Sequence, residues 1–564
     1  ILITEQRVES RLIQYDGTDM LSAADIQLNE CQQKAYQYIS SDSHNVSLLY
    51  GVTSSGKTEV YIKLIHDTLQ RGQQALFLLP EIALTAQLIN RLRRYFGNAV
   101  GVYHSRFSPS QRAEVWYRSA NPDPEQGYRV LIGARSALFL PFHNLGLVVV
   151  DEEHDPSYKQ AEPAPRYQGR DCAIYLAHIW GCHTVLGSAT PSVESYFSAT
   201  TGKYGLAVMD KRYGNWRLPE VYCADLKEAT RHKEVCGNFS NFLIQHISDA
   251  LKQQQQVILF QNRRGFSLRL ECDDCHWTPQ CQNCDVSLVY HKNSNSLRCH
   301  YCGYTMPLPN ECPACHSHHI KMKGFGTERA EEDLTLLFPE ARVARMDLDS
   351  TTQKNRYIEI LNDFEDRKID ILVGTQMITK GLDFSNVSVV GILSADNLIF
   401  FPDYRAFERA YQLMTQVSGR AGRHGEGKVI IQTFNPYHQA IRDVIDNNYE
   451  RMYASQIQER RVFRYPPYYR LIKITLRHRS QDLLNDAADY AAQALRAQFG
   501  ARVLGPEYPS ISRIRNLYIK QIMLRFERTE AIASAKGFIM EILDQTQHLK
   551  EYSPLIVAID VDPE

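Results

Sequence analysis

Short apolar runs alternate along the chain with longer segments of mixed polarity. One set of runs, rich in Val, Leu and Ile, occupies residues 46–50, 75–79, 130–132, 145–150 and 184–186. A second set occupies residues 257–260, 342–346, 369–373, 387–393 and 428–432. Strand-length apolar runs separated by helix-like segments are typical of parallel sheets that are covered on both faces. The pattern therefore predicts two α/β lobes in succession.

The pattern changes after residue 434. A helical stretch at 438–461 is followed by the turn-forming sequence Tyr-Pro-Pro-Tyr at 465–468 and by a strand-like run at 471–477. Helical periodicity then returns around 483–499 and 529–545. We predict a separate α+β domain at the C-terminal end of the chain.

Composition limits the class of protein. The 564 residues are 44% hydrophobic and 23% charged, which excludes a disordered or fibrous chain. The apolar runs are too short for a membrane span, and no apolar signal core follows Ile1, so we expect a fragment of a longer protein without an export signal. With 63 basic and 64 acidic residues, affinity for nucleic acid has to come from a local basic groove.

A phosphate-binding loop follows the first apolar run. Residues 51–58 read G-V-T-S-S-G-K-T, which matches G-x-x-x-x-G-K-[ST], and a predicted helix at 59–69 comes next. Lys57 is expected to reach the β- and γ-phosphates of a nucleotide, and the Thr58 hydroxyl to face Mg²⁺. The loop residues expected to surround the phosphates are Gly51, Thr53, Ser54, Ser55 and Gly56.

An acidic sequence, Asp151-Glu152-Glu153-His154, follows the apolar run 145–150. Carboxylates placed there emerge at the C-terminal edge of a parallel sheet, where ligands of this fold class bind. We expect Asp151 to hold Mg²⁺ and Glu152 to polarise the attacking water. A nucleoside triphosphatase needs both functions in addition to the phosphate loop.

Two arginines near the end of the second set of runs indicate more than a simple kinase. Residues 416–423 read Q-V-S-G-R-A-G-R, and Arg420 and Arg423 are one helical turn apart. If they begin a helix on the second lobe, both guanidiniums are expected to stabilise charge on the γ-phosphate as arginine fingers do. Closure of the two lobes would then depend on ATP.

The cysteines indicate metal binding. Eight of the 13 cysteines form four C-x-x-C pairs within one segment of the chain: Cys272 and Cys275, Cys281 and Cys284, Cys299 and Cys302, and Cys312 and Cys315. Two such pairs complete a tetrahedral zinc site, so eight thiolates predict two closed structural sites. The alternatives to zinc are disulfides, which require an oxidising compartment, and an iron–sulfur cluster. Spacing alone leaves three ways of combining the pairs.

Taken together, these motifs resemble the superfamily 2 helicases and, within them, the PriA family of bacterial replication restart proteins (primosomal protein N′). The segments that carry the resemblance are 79–85, 133–139, 151–154, 187–191, 262–266, 374–381, 416–423 and 560–563. The resemblance implies an α/β fold with two RecA-like motor lobes, a double-zinc insertion in the second lobe and an α+β C-terminal domain. The corresponding boundaries are a winged-helix or linker remnant at 1–22, lobe 1 at 23–205, lobe 2 at 206–270 and 319–435, the insertion at 271–318 and the C-terminal domain at 436–564.

The resemblance also assigns roles to particular residues. Gln32 corresponds to the glutamine that reads adenine, and Asp383 to a residue that contacts the ribose. It implies a nested zinc arrangement, in which the first and last C-x-x-C pairs bind one ion and the two inner pairs bind the other.

Contacts to DNA are predicted on both lobes from the same motif matches. A motor that moves along any sequence holds the phosphate backbone through hydroxyls, cations and stacking aromatics. The residues expected to do so are Thr85, Arg135, Ser136, Arg263, Arg264, Thr379 and Lys380. The loop after Glu153 resembles an aromatic-rich loop that couples DNA binding to ATP hydrolysis, through Tyr158 and Tyr167. Packing of these two tyrosines in the core is the alternative interpretation.

The resemblance implies an ATP- and Mg²⁺-dependent DNA helicase with 3′ to 5′ polarity that binds two Zn²⁺ and acts on abandoned forks in the bacterial cytoplasm. Expected partners are forked and single-stranded DNA, the single-stranded DNA-binding protein and other primosome or helicase-loading proteins, with no membrane. Two other functions stay open from the residues. The chain could translocate on DNA or RNA without separating strands, or serve as a non-catalytic zinc scaffold.

Overall fold

The structure is a computed structural model that describes residues 15, 17, 19–41, 43–80, 86–104, 107–123, 125–213, 218–261, 269–275, 277–284, 286–291, 296–323, 327–346, 356–379, 384, 386–422, 427–528 and 532–563. The chain divides into two compact units near residue 218. Among the described helices, none has the length and apolar character needed to cross a bilayer.

The first unit is an α/β lobe around a seven-stranded parallel sheet, which we call the first lobe. Its strands are β1 (Val46–Gly51), β2 (Gln74–Leu78), β3 (Val100–Tyr103), β4 (Val130–Gly133), β5 (Leu145–Asp151), β6 (His183–Ser188) and β7 (Gly205–Met209). Its helices are α1 (Glu30–Ser40), α2 (Lys57–Gln70), α3 (Ala86–Phe96), α4 (Pro109–Ala120), α5 (Gly169–Trp180) and α6 (Val193–Thr200).

The strand order is β3-β4-β2-β5-β6-β1-β7, so the two strands that end in the phosphate loop and the acidic residues, β1 and β5, are separated only by β6. The side chains of the central strands are almost all buried between the helices. Because all strands are parallel, the segments after β1, β5 and β6 emerge at the same edge of the sheet.

The second unit contains another α/β lobe, the second lobe, and a cysteine-rich insertion follows the second strand of its main sheet in chain order. Before the insertion come β8 (Glu220–Asp225), α7 (Leu226–Arg231), β9 (Val235–Cys236), β10 (Phe239–Ser240), α8 (Asn241–Lys252) and β11 (Gln256–Phe260). The insertion, called the zinc module here (residues 269–323), contains β12 (Arg269–Cys272), β13 (Val289–His291), β14 (Ser296–Arg298), β15 (Thr305–Pro307) and β16 (Ile320–Lys323). It begins and ends on the antiparallel pair β12 and β16.

After the zinc module the chain returns to the second lobe. The elements are α9 (Thr327–Leu337), β17 (Val343–Met346), α10 (Arg356–Glu365), β18 (Ile371–Gly374), β19 (Val387–Ile392), α11 (Asp396–Ile399), α12 (Ala406–Ser418), β20 (Lys428–Thr433), α13 (Gln439–Ile445) and α14 (Tyr449–Val462). The sheet has the order β17-β18-β11-β19-β20-β8, and each of its pairs is parallel. Two α/β lobes with an insertion in the second are therefore confirmed.

The C-terminal domain (residues 469–563) is an antiparallel sheet with two helices. Its elements are β21 (Tyr469–His478), α15 (Gln481–Phe499), β22 (Val503–Glu507), β23 (Arg513–Ile514), β24 (Leu517–Glu527), α16 (Ile532–His548) and β25 (Ile556–Val561). The main strands have the order β22-β24-β21-β25, which is the ferredoxin-like arrangement of a β-α-β-β-α-β chain. The small alanines of α15 pack against this sheet.

The structure changes several predicted boundaries. The first lobe continues past residue 205, because β7 pairs with β1 along its whole length. The second lobe begins at β8, which pairs with β20. Helices α13 and α14, predicted to open the C-terminal domain, pack against α12 in the second lobe. Within the two lobe sheets, the apolar pattern missed β3, β7 and β8, which lie at sheet edges, and β7 and β8 contain partly exposed positions that interrupt the apolar run.

Candidate functional site

The phosphate loop lies between β1 and α2, as the sequence predicts. Ser54 and Gly56 have positive φ values of 62° and 82°, which turn the backbone sharply before the helix begins at Lys57. The Lys57 ammonium donates a hydrogen bond of 2.9 Å to the carbonyl of Gly51. The loop is thus folded back on itself around its cation, with its amides at the N-terminus of α2, which is the geometry that binds phosphate.

Support for this loop comes from a segment that the sequence did not indicate. After β7, the amide of Tyr213 donates to the carbonyl of Ser54 over 2.8 Å, and Arg212 reaches the Thr53 hydroxyl at 3.5 Å. Arg212 is only 5% exposed. These residues lie far from the loop in the sequence and approach it only because β7 pairs with β1, so no local pattern could have found them.

Gln32 lies beside the phosphate loop in the first turn of α1. Its Nε2 donates to the carbonyl of Gly56 over 3.1 Å, and its Oε1 accepts from the amide of Asn29 in a capping box. The side chain is fully buried. The structure therefore connects Gln32 to the loop that holds phosphate, and the predicted contact with adenine stays a prediction.

The acidic residues lie at the end of β5. Asp151 is the last residue of the strand and pairs with Gly187 of β6. Burial, followed by the neighbouring Glu152 carboxylate, raises the pKa of Asp151 to about 6, against the opposing effects of Lys57 and of a hydrogen bond from Tyr61. Burial and the neighbouring carboxylate disfavour the charged form of Asp151, and a bound cation would favour it. This fits the predicted role of Asp151 as a metal ligand.

Glu152 and His154 form the next part of the site. Glu152 has a positive φ of 49°, and its Oε2 lies 3.8 Å from Nδ1 of His154. That ring nitrogen also hydrogen bonds to the Ser188 hydroxyl at 2.7 Å. His154 thus connects the acidic sequence to the end of β6, and the Glu152 side chain keeps about one third of its surface exposed.

Glu153 has a structural role that the sequence analysis left unassigned. Its buried carboxylate accepts hydrogen bonds from Arg170 at the start of α5 and from Ser192 and Ser195 at the start of α6. The Arg170 side chain is itself mostly enclosed. This ion pair ties the acidic sequence to the N-termini of two helices.

The aromatic-rich loop is partly core. Tyr158 is 1% exposed and its hydroxyl donates to the main-chain carbonyl of Asp151 over 2.7 Å, so the predicted stacking of this ring on DNA is wrong for this conformation. Tyr167 is half-buried and contacts Phe139 edge to face at 5.4 Å.

Arg135 donates to the carbonyls of Ser157 and Lys159 and so supports the aromatic-rich loop. Ser136 is half-buried in the adjacent 3₁₀ turn, Arg135–Phe139.

Arg420, one of the two predicted arginines, does not lie at the start of a helix. Helix α12 ends at Ser418, and Arg420 lies in the turn after it, with its amide bonded to the carbonyl of Val417. The condition considered for the pair, that it begins a helix, is therefore not met at Arg420, because Gly419 caps the C-terminus of the preceding helix. Of the other predicted residues, Thr379 ends a 3₁₀ turn, Gln376–Thr379. Thr85, Arg263, Arg264, Lys380, Asp383 and Arg423 lie outside the described residues.

The eight clustered cysteines form two groups of four. One contains Cys272, Cys275, Cys312 and Cys315, and the other contains Cys281, Cys284, Cys299 and Cys302. Within each group the sulfur atoms lie within 4.8 Å of one another, with pairs as close as 3.4 Å. Four thiolates at bonds of about 2.3 Å around zinc would be about 3.8 Å apart, so both groups fit a tetrahedral Zn²⁺. The nested arrangement is the one that the structure has.

The zinc module contacts the C-terminal domain through the second cysteine group. The Tyr465 hydroxyl donates to the carbonyl of Cys284 over 2.8 Å, and Arg525 of β24 donates to Tyr465 and to Sγ of Cys284. On the same side, Arg298 pairs with Glu507, and His300 bonds to the carbonyl of Tyr508. The sequence carries no local signal for these contacts.

Four parts of the chain match known protein families. Residues 29–197 match the DEAD/DEAH box helicase family and residues 324–425 match the helicase conserved C-terminal domain. Residues 281–307 match the PriA DNA helicase Cys-rich region domain, and residues 461–564 match the primosomal protein N C-terminal domain.

Curated relatives extend these matches along the chain. The replication restart protein PriA of Treponema pallidum is 39% identical over 539 residues, which cover 94% of this chain and 79% of that protein. That of Haemophilus influenzae is 38% identical over 543 residues, covering 95% and 72%. The chain belongs to the PriA family of replication restart proteins. The relative from Bacillus subtilis is 41% identical over 546 residues, and the chain spans 66% of its length.

Proposed function

We propose that this PriA family chain is an ATP- and Mg²⁺-dependent DNA helicase that moves 3′ to 5′ on abandoned replication forks. The observation that carries the proposal is the site in the first lobe, where a complete phosphate loop and the Asp151-Glu152 pair meet at one edge of the sheet. The polarity and the preference for forks rest on family membership. A zinc scaffold has no need of this arrangement.

Each residue at this edge has a distinct task. The amides of the loop and the Lys57 ammonium bind and neutralise the nucleotide phosphates. Thr58 and Asp151 would hold Mg²⁺, which supplies charge neutralisation at the γ-phosphate. Glu152 orients the attacking water, and His154 connects the acidic sequence to Ser188 at the end of β6. We assign charge stabilisation at the γ-phosphate to Arg420 and Arg423 and nucleotide contacts to Gln32 and Asp383.

The zinc module and the C-terminal domain form a second functional part. The two cysteine groups would each hold one Zn²⁺ in a closed site without a position for substrate, so the metal stabilises structure. We assign DNA contacts to the half-buried Arg135, Ser136 and Tyr167, and to Thr85, Arg263, Arg264, Thr379 and Lys380. Forked and single-stranded DNA, the single-stranded DNA-binding protein and helicase-loading proteins of the bacterial cytoplasm are the proposed partners.

The test is steady-state ATP hydrolysis without DNA, with single strands and with a forked duplex. DNA should stimulate hydrolysis strongly, and Lys57→Ala should abolish it because the phosphates lose their cation. Lys63→Ala is the matched control, since Lys63 lies on the same helix and its amine bonds to the carbonyl of Ala24 at the surface. This variant should keep full activity.

Strand displacement then separates the helicase from a translocase. Forks with a 3′ tail should be unwound, and equivalent substrates with only a 5′ tail or an RNA duplex should not. Hydrolysis that is stimulated by DNA without any strand displacement would favour translocation. Hydrolysis that is absent or unaffected by DNA, in protein with bound zinc, would contradict the proposed motor activity.

A further inference from the structure

Tyr61, on the helix that follows the phosphate loop, contacts Asp151, the carboxylate proposed to hold Mg²⁺. It lies one helical turn after Lys57 on α2, and its hydroxyl donates a hydrogen bond of 2.9 Å to Oδ1 of Asp151 on β5. The side chain has no exposed surface. The tyrosine hydroxyl is the donor of this bond, because an ionised carboxylate can only accept.

Packing leaves the Tyr61 ring little freedom. The ring lies edge-on to Phe77 of β2, with the centroids 5.5 Å apart. Its hydroxyl occupies the space beside Gly187 of β6, where a Cβ would lie 1.6 Å from the tyrosine oxygen. The strand residue that pairs with Asp151 therefore has to be glycine for the hydroxyl to reach the carboxylate.

The main chain of Asp151 is also held by a tyrosine. The Tyr158 hydroxyl donates to the main-chain carbonyl of the same residue, so its backbone and one carboxylate oxygen each have a tyrosine donor. Hydrogen bonds of this kind fix the orientation of a metal-ligating group, and their loss typically weakens metal affinity 10- to 100-fold. The backbone of Glu152 adds a further hydrogen bond to the Asp151 carboxyl group.

We propose that Tyr61 is a positioning residue for divalent-metal binding, which orients Asp151 through a hydrogen bond from the helix that also carries Lys57. The inference rests on the proposed ATPase function. The same turn of α2 carries Lys57, which binds the phosphates, and Tyr61, which donates to Asp151. Binding of phosphate and binding of the metal by Asp151 therefore both depend on the position of this helix turn. A shift of α2 relative to β5 would change phosphate and metal binding together.

The experiment measures binding of a fluorescent ADP analogue to the full chain, first in EDTA and then during a titration with Mg²⁺. In Tyr61→Phe, affinity for the nucleotide in EDTA should equal that of wild type, because the phosphate loop is intact. The Mg²⁺ concentration at half-saturation should rise about tenfold, because Asp151 has lost its donor. The ring is retained, so the lobe keeps its packing.

Tyr36→Phe is the matched control, because the Tyr36 hydroxyl donates to Asp67 in the same lobe but away from the phosphate loop. It should leave the Mg²⁺ titration unchanged. Equal half-saturation in wild type and Tyr61→Phe would overturn the inference, as would an equal change in both variants, which indicates general loosening. Wild type that binds no nucleotide, or gains no affinity from Mg²⁺, would overturn the proposed function itself.

Discussion

Arg525 of the C-terminal domain donates a hydrogen bond to Sγ of Cys284 in the zinc module, at 3.6 Å. The same guanidinium bonds to the Tyr465 hydroxyl and to the carbonyl of Phe463, and it lies 4.7 Å from the centre of the Tyr465 ring. A zinc ion with four thiolates carries net negative charge, so a buried cation at one sulfur stabilises the loaded site. The C-terminal domain thus takes part in the surroundings of the inner cysteine group, Cys281, Cys284, Cys299 and Cys302.

Replacing this arginine should loosen one zinc ion. In Arg525→Met, one of two zinc equivalents should pass to a chromogenic chelator about tenfold faster than in wild type, since the thiolate has lost its charged partner. Arg513→Met, in the exposed strand β23 of the same domain, is the control and should release zinc at the wild-type rate. Identical release curves for all three proteins would contradict the role of Arg525.

Zinc content should follow the two cysteine groups. Cys299→Ser removes a buried ligand of the inner group, and the purified protein should contain one zinc equivalent in place of two. Elemental analysis provides the measurement. Cys236→Ser, at an exposed cysteine outside both groups, should keep two equivalents. Loss of both ions in Cys299→Ser would show that the groups do not bind independently.

A buried ion pair joins the helix before Arg420 to the C-terminal part of the second lobe. Arg460 of α14 donates to Glu408 of α12, and both side chains are nearly inaccessible, at 1% and 3% exposure. Arg460→Met removes the guanidinium group from the buried Glu408 carboxylate, and this should lower the unfolding free energy by about 3 kcal/mol. The double variant Arg460→Met with Glu408→Gln should recover part of the loss in denaturant titration.

The control for this pair is an exposed one. Lys34 and Glu30 pair on the surface of α1, where solvent screens the charges, so Lys34→Ala should leave the unfolding transition unchanged. If Arg460→Met and Lys34→Ala behaved alike, the buried pair would not stabilise the second lobe. If the double variant were less stable than Arg460→Met, the charge of Glu408 would not be the cause.

Stability should fall in mild acid through His438. Burial lowers the pKa of this histidine to about 4, from an ordinary value of 6.5, despite the nearby Asp443. The unfolded chain therefore binds the proton first, and stability is lost as the pH falls from about 6.5 to about 4, by up to about 1.4 kcal/mol per pH unit. The ring packs against Phe400 and Phe407, and its Nδ1 caps α13.

His438→Asn keeps a cap acceptor but cannot titrate. Its unfolding free energy, measured by denaturant titration between pH 7 and pH 4.5, should fall less steeply with acid than that of wild type. The slope of unfolding free energy against pH is the quantity to compare. The substitution also changes packing, but that change is the same at every pH and shifts the whole curve without altering its slope. Parallel curves for the two proteins would contradict the assignment.

Local patterns determined much of the architecture in advance. The central strands of both lobes were predicted within one or two residues, because burial on both faces makes them continuously apolar. Edge strands such as β8 were missed for the converse reason. The loop around Lys57 and the acidic residues after β5 were also predictable, because each motif is contiguous and lies where a strand ends.

Long-range packing accounts for what the sequence did not show. Tyr158 was expected to face DNA, but its side chain is buried and its hydroxyl bonds to the carbonyl of Asp151. Nothing in its neighbours along the chain distinguishes an exposed ring from a buried one. A helix starting at Arg420 was considered from the sequence, whereas α12 ends just before this residue. The nested zinc groups were implied by resemblance only, since spacing permits three combinations of the pairs.

The sequence by itself determined that this chain has a phosphate loop, an acid pair and eight clustered thiolates, because these features need only neighbouring residues of the right type. The tertiary structure decided which distant side chains complete them: Arg212 at the loop, Tyr61 at Asp151 and Arg525 at Cys284. Those contacts depend on how strands pair and helices pack across long stretches of chain, and a hydrogen bond at about 3 Å has no counterpart in local periodicity.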